Sequence, residues 1–475
     1  MPGPVLPAEL DALRALEAWP AELDAAVAAA EGWSDAEDVR AACRRNRIRD
    51  LLGGDERAQR ALARALETVP TERPTRALAA ARRVASRVLD HLQQEPHAVR
   101  LALTGALRRM APRVASIDLL ATSDDAVALR SALAAARFVR TSVQQGDTLH
   151  ARLVDGAAVT LRVLPEDATA FVLAHMEGTG PAELVAQLHD RAHARGVRWD
   201  ELLLETEADF FAALDMAPVP PERREAVARG EPVGLPVEAA DVRGLAALHS
   251  AYGAGRFPLA TWADTATAQG FAWLLVADRA VGPGPHVDVE ALARLRTEVA
   301  SWRRLRSEDD DLEGARVPAE VLLGVRVALD AAPAWPAADL VIGVPDAAGW
   351  PETARGALAS GAVDVLAAPP RTSPRCEDLE AWRGLVEAAR GAHAALALGG
   401  EASSATPPPG LGALLIEAGV PVLLDADETL PGELDQLLAA LAQARREAVP
   451  APLVMNAWSA ARVRSWASAR RERRS

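Results

Sequence analysis

Lysine is absent from this 475-residue chain, so all 52 of its basic residues are arginines. Without lysine the chain has neither a phosphate-binding loop that ends in Gly-Lys-Ser/Thr nor the amine that a pyridoxal or aldolase Schiff base requires. Cysteine is scarce, since Cys43 and Cys376 are the only two, and no apolar run approaches the ~20 residues of a transmembrane helix. The opening residues, MPGPVLPAELDAL, carry acidic side chains where a secretory signal carries basic ones. These features predict a reduced, cytoplasmic protein without a membrane segment.

The chain is acidic overall, with a formal net charge of −14. This charge argues against a protein that coats DNA nonspecifically, because phosphate contacts need clustered basic side chains, although local basic patches are compatible with it. Apolar residues make up 50% of the chain and charged residues 25%, which is a globular composition. At this length we expect about two to four domains.

Hydrophobic periodicity changes along the first half of the chain. Short amphipathic helices are predicted from Pro7 to Glu67, and a mixed sheet from Val99 to Pro165 with a helix at Asp124–Ala136. Helical patterns return over Glu166–Ala217. The stretch Pro218–Glu238, rich in proline, glycine and glutamate, is typical of a domain linker.

After this linker, strand and helix patterns alternate. The apolar strand runs lack polar alternation, which is typical of parallel strands covered on both faces, and the order predicts a (β/α) barrel. The candidate strands are Phe271–Asp278, Gly324–Asp330, Asp339–Asp346, Val363–Pro369, Ala395–Glu401, Val420–Asp427 and Pro452–Ala457. In such barrels chemistry lies at the carboxyl ends of the strands.

The segment Gly105–Asp125, GALRRMAPRVASIDLLATSDD, resembles the palm signature of bacterial family X DNA polymerases. That signature reads Gly-Ser-x-Arg-Arg-x-Lys, a short spacer, and then Gly-Asp-x-Asp. Further segments resemble the family in the same order: VTLRVLP its Val-Asp-Leu-Arg strand, RAHARGVRWDELLLETEADFFAALDMAPVPPERRE its thumb, and DVRGLAALHSAYGAG the start of its fused PHP (polymerase and histidinol phosphatase) domain. The resemblance runs from about Leu6, which aligns with the family's fingers, to the end. It implies that the small N-terminal lyase-type domain is absent.

The resemblance implies a multidomain α/β and α+β architecture. Its expected parts are helical fingers over residues 1–72, a nucleotidyltransferase-type palm over 73–165, a small thumb over 166–225, a linker over 226–240 and a distorted PHP-type (β/α) barrel over 241–475. In the family the palm uses Mg²⁺ or Mn²⁺ and the PHP domain Mn²⁺ or Zn²⁺. We expect no cofactor for this chain, for the reasons that follow.

The palm of the family carries three aspartates that hold two metal ions for phosphoryl transfer. By resemblance their positions are Ser116, Asp118 and Thr160, so a single carboxylate is left. Hydroxyls are poor substitutes for charged ligands of a hard dication, and we expect two-metal catalysis to be lost or nearly so. Asp118 is then the one candidate catalytic residue, or else a strand-end hydrogen-bond acceptor.

The family's triphosphate-binding segment is partly kept. Its serine corresponds to Ala106 and its lysine to Ala111, whereas Gly105, Arg108 and Arg109 match the family. These three are the candidate phosphate-binding residues. The alternative is that the two arginines form surface or palm salt bridges.

The PHP domain of the family holds three metal ions with nine ligands. The corresponding residues here are Ala247, His249, Ala254, Arg279, Arg326, Asp346, Ala368, Asp427 and Thr429. A guanidinium has no lone pair to donate and repels cations, so a trinuclear site is not expected. His249, Asp346 and Asp427 are the vestigial metal-ligand set, for one weakly held ion at most; alternatively His249 is a hydrogen-bonded core residue.

The two arginines in that set allow two interpretations. If Arg279 and Arg326 point into the former metal cavity, the cavity binds an anion such as a phosphate or nucleotide. Alternatively they neutralise Asp346 and Asp427 in a structural network, since an emptied metal site leaves carboxylates that need partners.

The DNA-binding elements of the family are altered as well. Its two helix-hairpin-helix turns, Pro-Gly-x-Gly, correspond to Ala18-Trp19-Pro20-Ala21 and Leu52-Gly53-Gly54-Asp55, and the second places an aspartate where a phosphate would bind. At the other end, the arginine-rich run from Arg462 onward is either a nucleic-acid tail or a solvated helix end.

The expected function is therefore that of a catalytically degenerate family X polymerase–PHP relative, a non-enzymatic binding or regulatory protein associated with DNA repair. DNA is its expected partner, bound weakly, and the sequence identifies no protein partner. Residual DNA polymerase or 3′–5′ exonuclease activity, and a protein-interaction scaffold without DNA binding, are the alternatives.

Overall fold

The computed structural model describes residues 20, 39, 42–43, 47–67, 75–280, 286–308, 319–329, 335, 338–370, 372–399, 406–427 and 434–473. Of the first predicted hairpin turn only Pro20 lies within these residues, and Thr429 lies outside them. The chain divides into two compact units, Met1–Gly230 and Glu231–Ser475. In the described part, no helix is both long and apolar enough to cross a bilayer.

The first unit contains a five-stranded mixed sheet, as the sequence predicted. The strands of this unit are β1 (Arg76–Ala77), β2 (Ala98–Leu103), β3 (Arg113–Val114), β4 (Ile117–Ser123), β5 (Val139–Gln145), β6 (Thr148–Leu153) and β7 (Ala158–Leu164). The sheet order is β2-β4-β7-β6-β5; β4 and β7 run parallel, the other neighbours antiparallel, and β1 pairs with β3 apart from the sheet. The parallel β4–β7 pair therefore occupies the middle of the sheet, where β4 is largely buried and β7 has every second residue buried.

Helices cover and extend this sheet. They are Arg47–Leu51, Glu56–Glu67, Leu78–Gln93, Gly105–Arg108, Ala126–Ala134, Ala168–Thr179, Ala182–Ala194, Glu207–Ala213 and Arg224–Ala228. Asp125 begins the helix predicted at Asp124–Ala136, because its carboxylate accepts hydrogen bonds from the Val127 and Ala128 amides. A capping box between Thr206 and Asp209 starts the helix that carries Glu207.

The second unit is a closed parallel barrel, as predicted. Its strands are β8 (Gly244–Leu248), β9 (Trp273–Arg279), β10 (Glu320–Ala328), β11 (Leu340–Val344), β12 (Val365–Leu366), β13 (Ala395–Gly399) and β14 (Val422–Asp425). They pair in chain order, and β14 closes on β8. Helices of this unit are Leu259–Ala268, Val289–Glu308, Glu352–Ser360, Leu379–Gly391, Leu411–Ala418, Asp435–Arg446 and Ala460–Glu472. Because all the strands are parallel, their carboxyl ends meet at one end of the barrel.

The strand prediction was wrong at the seam where the barrel closes. The segment Pro452–Ala457 forms two short 3-10 turns with one bridge to β14, and β8, a short run of apolar residues, was not among the candidates. Strands β14 and β8 pair directly at Asp425 and Ala246, and the Asn456 side chain joins them further along the seam. Its Oδ1 accepts from the Leu424 amide at 2.7 Å, and its Nδ2 donates to the carbonyls of Gly244 at 3.0 Å and Leu424 at 3.1 Å.

The C-terminal helix, Ala460–Glu472, lies at the opposite end of the barrel from the strand carboxyl ends. Its Arg470 is 2% exposed and donates from Nη1 to Asp364 Oδ1 at 2.7 Å. Asp364 directly precedes β12, and its Oδ2 accepts from the Val341 amide at 2.9 Å and from Arg471 at 3.3 Å. Neither a nucleic-acid tail nor a solvated helix end describes this arginine, because its side chain is buried and paired with Asp364. The hydrophobic periodicity of the sequence did not reveal this partner.

Candidate active sites

The first candidate site lies on the central strands of the first unit. Asp118 on β4 pairs in register with Thr160 on β7, and Ser116 directly precedes β4. The Ser116 hydroxyl lies 2.8 Å from Asp118 Oδ1 and 3.3 Å from Thr160 Oγ1. The fold thus brings together the three side chains that the resemblance assigns to the positions of the family's aspartates. We call them the palm triad.

Gly105 adjoins this triad. Its φ is +61°, and a Cβ there would lie 2.2 Å from Asp118 Oδ2. The Thr104 amide also donates to the Asp118 carbonyl at 2.8 Å. A glycine is required here both by the left-handed backbone and by the close approach of the carboxylate.

The palm triad does not fit a pair of magnesium ions. It offers one carboxylate, one of whose oxygens already accepts a hydrogen bond from Ser116, and two neutral hydroxyls. Hard divalent cations are held mainly by charged oxygens, and two ions need more negative charge than Asp118 carries. In the described ranges, no group of three or more His, Cys, Asp and Glu side chains is placed to hold a metal ion.

Arg108 forms a bidentate ion pair instead of projecting freely. Its Nη1 and Nη2 lie 2.6 and 2.7 Å from the two Glu207 oxygens, and Arg224 donates to the same carboxylate at 3.0 Å. Burial alone would raise the pKa of Glu207, but the hydrogen bonds from Arg108 and the charge of Arg224 outweigh it and lower that pKa to about 2. Burial and the charge of Arg108 lower the pKa of nearby His175 to about 4.

Arg109 is bound in a similar way. Its Nε donates to Glu225 Oε1 at 2.9 Å, and its Nη1 donates to the Thr179 carbonyl. The structure thus has Arg108 and Arg109 in salt bridges, the alternative stated from the sequence. Phosphate binding by Gly105, Arg108 and Arg109 stays a prediction.

The helix that follows the second predicted hairpin turn also has an internal anion at its amino end. Gly53 and Gly54 have φ of +66° and +96°, and Asp55 Oδ1 accepts from the Ala58 amide at 2.9 Å. The carboxylate of Asp55 thus caps the helix Glu56–Glu67 at the place where a phosphate would bind.

The second candidate site lies at the carboxyl ends of the barrel strands. Asp278 on β9 and Asp425 on β14 are each 1% exposed, and the side chain of Asp427 is 3% exposed. His249 follows β8, and Arg326 lies on β10. We call these five residues the barrel cluster.

Arg326 lies between two carboxylates of the barrel cluster. Its Nη2 is 2.5 Å from Asp425 Oδ1 and 2.9 Å from Asp427 Oδ1. Burial disfavours the guanidinium charge, but the two carboxylates outweigh burial and raise the pKa of Arg326. Burial raises the pKa of Asp425, whereas Arg326 and His249 overcome burial and lower the pKa of Asp427.

His249 links the remaining acids. Its Nε2 lies 2.8 Å from Asp427 Oδ1, and its Nδ1 lies 3.6 Å from Asp278 Oδ1. Asp278 in turn accepts from the Ser250 hydroxyl at 2.5 Å and the Ser250 amide at 2.9 Å. Burial opposes charging of the imidazole, but the neighbouring carboxylates of Asp278 and Asp427 outweigh it and raise the pKa of His249.

The backbone is strained at the same place. Ala247 and Asp427, which are not glycines, have φ of +65° and +44°. Such conformations are uncommon and cluster at functional sites. The sequence did not identify Asp425 or Ser250, because neither lies at a ligand position of the family; the pattern Asp425-x-Asp427 at a strand end was the signal available.

The predicted vestigial metal set is only partly assembled. His249 and Asp427 are hydrogen-bonded to each other, but Asp346 is exposed and accepts from the Gly349 amide at 2.7 Å as a turn residue. Arg279 pairs in register with Arg326, and its charge also lowers the pKa of Asp427. The barrel cluster does not fit the family's metal ions, because a permanent guanidinium charge occupies the space between its carboxylates.

Sequence comparison places the chain near one class of protein. No family model matches it. It is 23% identical over 264 residues to the DNA polymerase/3'-5' exonuclease PolX of Bacillus subtilis (strain 168). The match covers 52% of this chain and 46% of that protein, so the chain spans about half the length of the curated relative. The similarity supports a relation to the family X DNA polymerases.

Proposed function

We propose that this chain is a catalytically inactive relative of the family X DNA polymerases that acts in the cytoplasm as a DNA-binding or regulatory protein in DNA repair. The observation that carries this proposal is the palm triad. Its backbone framework brings residues 116, 118 and 160 together, but Ser116 and Thr160 supply hydroxyls in place of carboxylates.

The low negative charge of the palm triad supports the proposed loss of phosphoryl-transfer activity. Phosphoryl transfer needs metal ions that neutralise the developing charge and align the reacting oxygens. With Asp118 as the one carboxylate, the triad has too little negative charge to hold two such ions. The barrel supports the same proposal for a second activity, because Arg326 occupies the space between Asp425 and Asp427.

DNA is the proposed ligand because the relative is a DNA polymerase and exonuclease. The net charge of −14 and the Asp55 cap predict weak binding that depends strongly on salt. The proposed fingers, palm and thumb regions would provide the contact surface.

The first test is fluorescence anisotropy of labelled gapped DNA with the full-length protein, at low and near-physiological salt, together with primer extension in Mg²⁺ and Mn²⁺. We expect salt-sensitive binding without nucleotide incorporation. Incorporation by the wild-type protein would overturn the inactive assignment. Absence of binding at low salt would overturn the DNA-binding part and favour a protein scaffold.

The second test restores the triad. In the double variant Ser116→Asp/Thr160→Asp, three carboxylates come within the contact distances now seen among Ser116, Asp118 and Thr160. We expect Mn²⁺-dependent incorporation at a primed gap to appear in this variant. Adding Asp118→Asn should abolish it, and activity that persists without Asp118 would contradict the assignment of the site.

A further inference from the structure

Three carboxylates of the barrel cluster are removed from water together. Asp278, Asp425 and the side chain of Asp427 are each 3% exposed or less. Buried charges are tolerated when they are paired or bound to a cation, and an uncompensated buried charge is strongly destabilising. The barrel therefore requires positive charge at this point.

Arg326 supplies that charge through a single nitrogen. Its Nη2 contacts Asp425 Oδ1 at 2.5 Å and Asp427 Oδ1 at 2.9 Å, and Asp427 Oδ1 also lies 2.8 Å from His249 Nε2. A hard divalent cation binds carboxylate oxygens at roughly 2.0–2.6 Å. Nη2 thus occupies the position of a bound cation, and the two carboxylate oxygens would need to move by only a few tenths of an ångström to coordinate one.

The hydrogen bonding of the barrel cluster is incomplete, which is compatible with a site organised around charge. Arg326 Nε and His249 Nδ1 are buried without a hydrogen-bond partner among the described residues, and the nearest carboxylate oxygen to Nδ1 is 3.6 Å away. A core network that serves packing alone is usually satisfied throughout. In this cluster, compensation of charge takes precedence over satisfaction of each donor.

We infer that the Arg326 guanidinium is a built-in counter-cation that takes the place of a divalent metal ion in this barrel. The barrel therefore folds without metal, and its carboxylates bind Mn²⁺ when Arg326 is removed. As the described residues stand, Asp425, Asp427 and His249 do not form a metal site, and removal of Arg326 would leave them free to move onto an ion. The two carboxylates are the kind of ligand that suits Mn²⁺. Neither DNA binding nor its absence bears on this role.

A matched control exists at the other end of the same barrel. Arg470 is as deeply buried as Arg326, and it pairs with Asp364 at 2.7 Å. The Asp364 carboxylate is held there by Arg471 and a backbone amide, without a second buried carboxylate in those contacts. Removal of Arg470 should thus destabilise the barrel without creating a cation site.

The experiment compares thermal unfolding of the wild-type protein, Arg326→Ala and Arg470→Ala in EDTA and in about 1 mM Mn²⁺. We expect the wild-type Tm to be the same in both, and the Tm of each variant in EDTA to fall by about 10 °C. Mn²⁺ should raise the Tm of Arg326→Ala by several degrees and leave Arg470→Ala unchanged. Calorimetry should show binding of one Mn²⁺ to Arg326→Ala.

Three results would overturn the inference: a wild-type Tm that falls in EDTA, an equal Mn²⁺ response of the two variants, or no Mn²⁺ binding by Arg326→Ala. If Arg326→Ala does not refold alone, its refolding yield with and without Mn²⁺ becomes the readout. Recovery with Mn²⁺ supports the inference, and equal yields contradict it. The double variant Arg326→Ala/Asp427→Asn should lose the Mn²⁺ response.

Discussion

The two units contain ion clusters of opposite composition, partly buried in the first unit and fully buried in the barrel. In the first unit one carboxylate, Glu207, is held by two guanidiniums, those of Arg108 and Arg224. In the barrel one guanidinium, Arg326, is held between two carboxylates, Asp425 and Asp427. The residue shared by two partners of opposite charge is therefore an acid, Glu207, in the first unit and a base, Arg326, in the barrel.

This difference in composition determines how the stability of each unit responds to acid. Protonation of Glu207 leaves two cations without their shared anion, so the first cluster is destroyed at low pH. In the barrel the shifts oppose one another. Protonation of Asp427, whose pKa is lowered, costs stability in acid, whereas the raised pKa values of Asp425 and His249 favour the folded barrel as pH falls. The first unit is thus expected to be the more acid-sensitive half of the molecule.

Glu207→Gln should produce the largest effect, because it leaves the buried Arg224 and the partly buried Arg108 without their anion. We expect a loss of about 3 kcal/mol in the free energy of unfolding at pH 7. The folded-state pKa of Glu207 is about 2, below its ordinary value of 4.5. The stabilisation is thus present above pH 4.5 and is lost as pH falls toward 2. Urea unfolding of both proteins across this range measures it, and a difference that stays constant with pH would contradict the assignment.

The two carboxylates around Arg326 should differ from each other. Asp427→Asn removes the charge that both Arg326 and His249 contact, and we expect a loss of about 2 kcal/mol. Asp425→Asn should cost less than about 1 kcal/mol, because it removes one of two like charges while its amide oxygen still accepts from Arg326. Urea unfolding at pH 7 compares them. Equal losses would show that the two carboxylates contribute alike.

A single added carboxylate in the palm triad should give the smallest effect and would make this site resemble the barrel without its cation. Ser116→Asp places a like charge near Asp118, and we expect a loss of about 1 kcal/mol at pH 7 that Mg²⁺ partly reverses. Ser131→Asp, on an exposed helical serine, is the control and should show no change. A loss that is insensitive to Mg²⁺ would show that the site does not concentrate charge.

The sequence predicted the architecture better than the partners of individual charges. Alternation of apolar strands and helices predicted the barrel, and the resemblance to the family X palm assigned Ser116, Asp118 and Thr160 to one site. The sequence did not predict that Arg108 pairs with Glu207, because these residues are 99 positions apart and no motif contains both. Asp425 was missed for a similar reason, since its significance depends on β10 and β14 contributing to one end of a closed barrel.

The failed strand prediction at Pro452–Ala457 shows the same limit. Its apolar pattern is compatible with a strand, but prolines 450 and 452 lack backbone donors and the segment forms 3-10 turns. Periodicity does not record that an asparagine side chain can satisfy the backbone groups of two strands. A side chain that takes the place of a backbone hydrogen-bond partner can be recognised when the positions of the strands are known.

The Asn456 contacts also impose an order on biosynthesis. Asn456 bonds to Gly244, which lies 212 residues earlier, so this side-chain link across the seam cannot form until residue 456 has left the ribosome. Until then the Asp425–Ala246 pair is the contact that closes the barrel, and the Leu424 amide and the Leu424 and Gly244 carbonyls lack the Asn456 partner. Unpaired backbone groups at a strand border recruit other chains. A ribosome-stalled chain in which residue 456 is still inside the ribosome should therefore depend on chaperones more than one in which residue 456 has emerged.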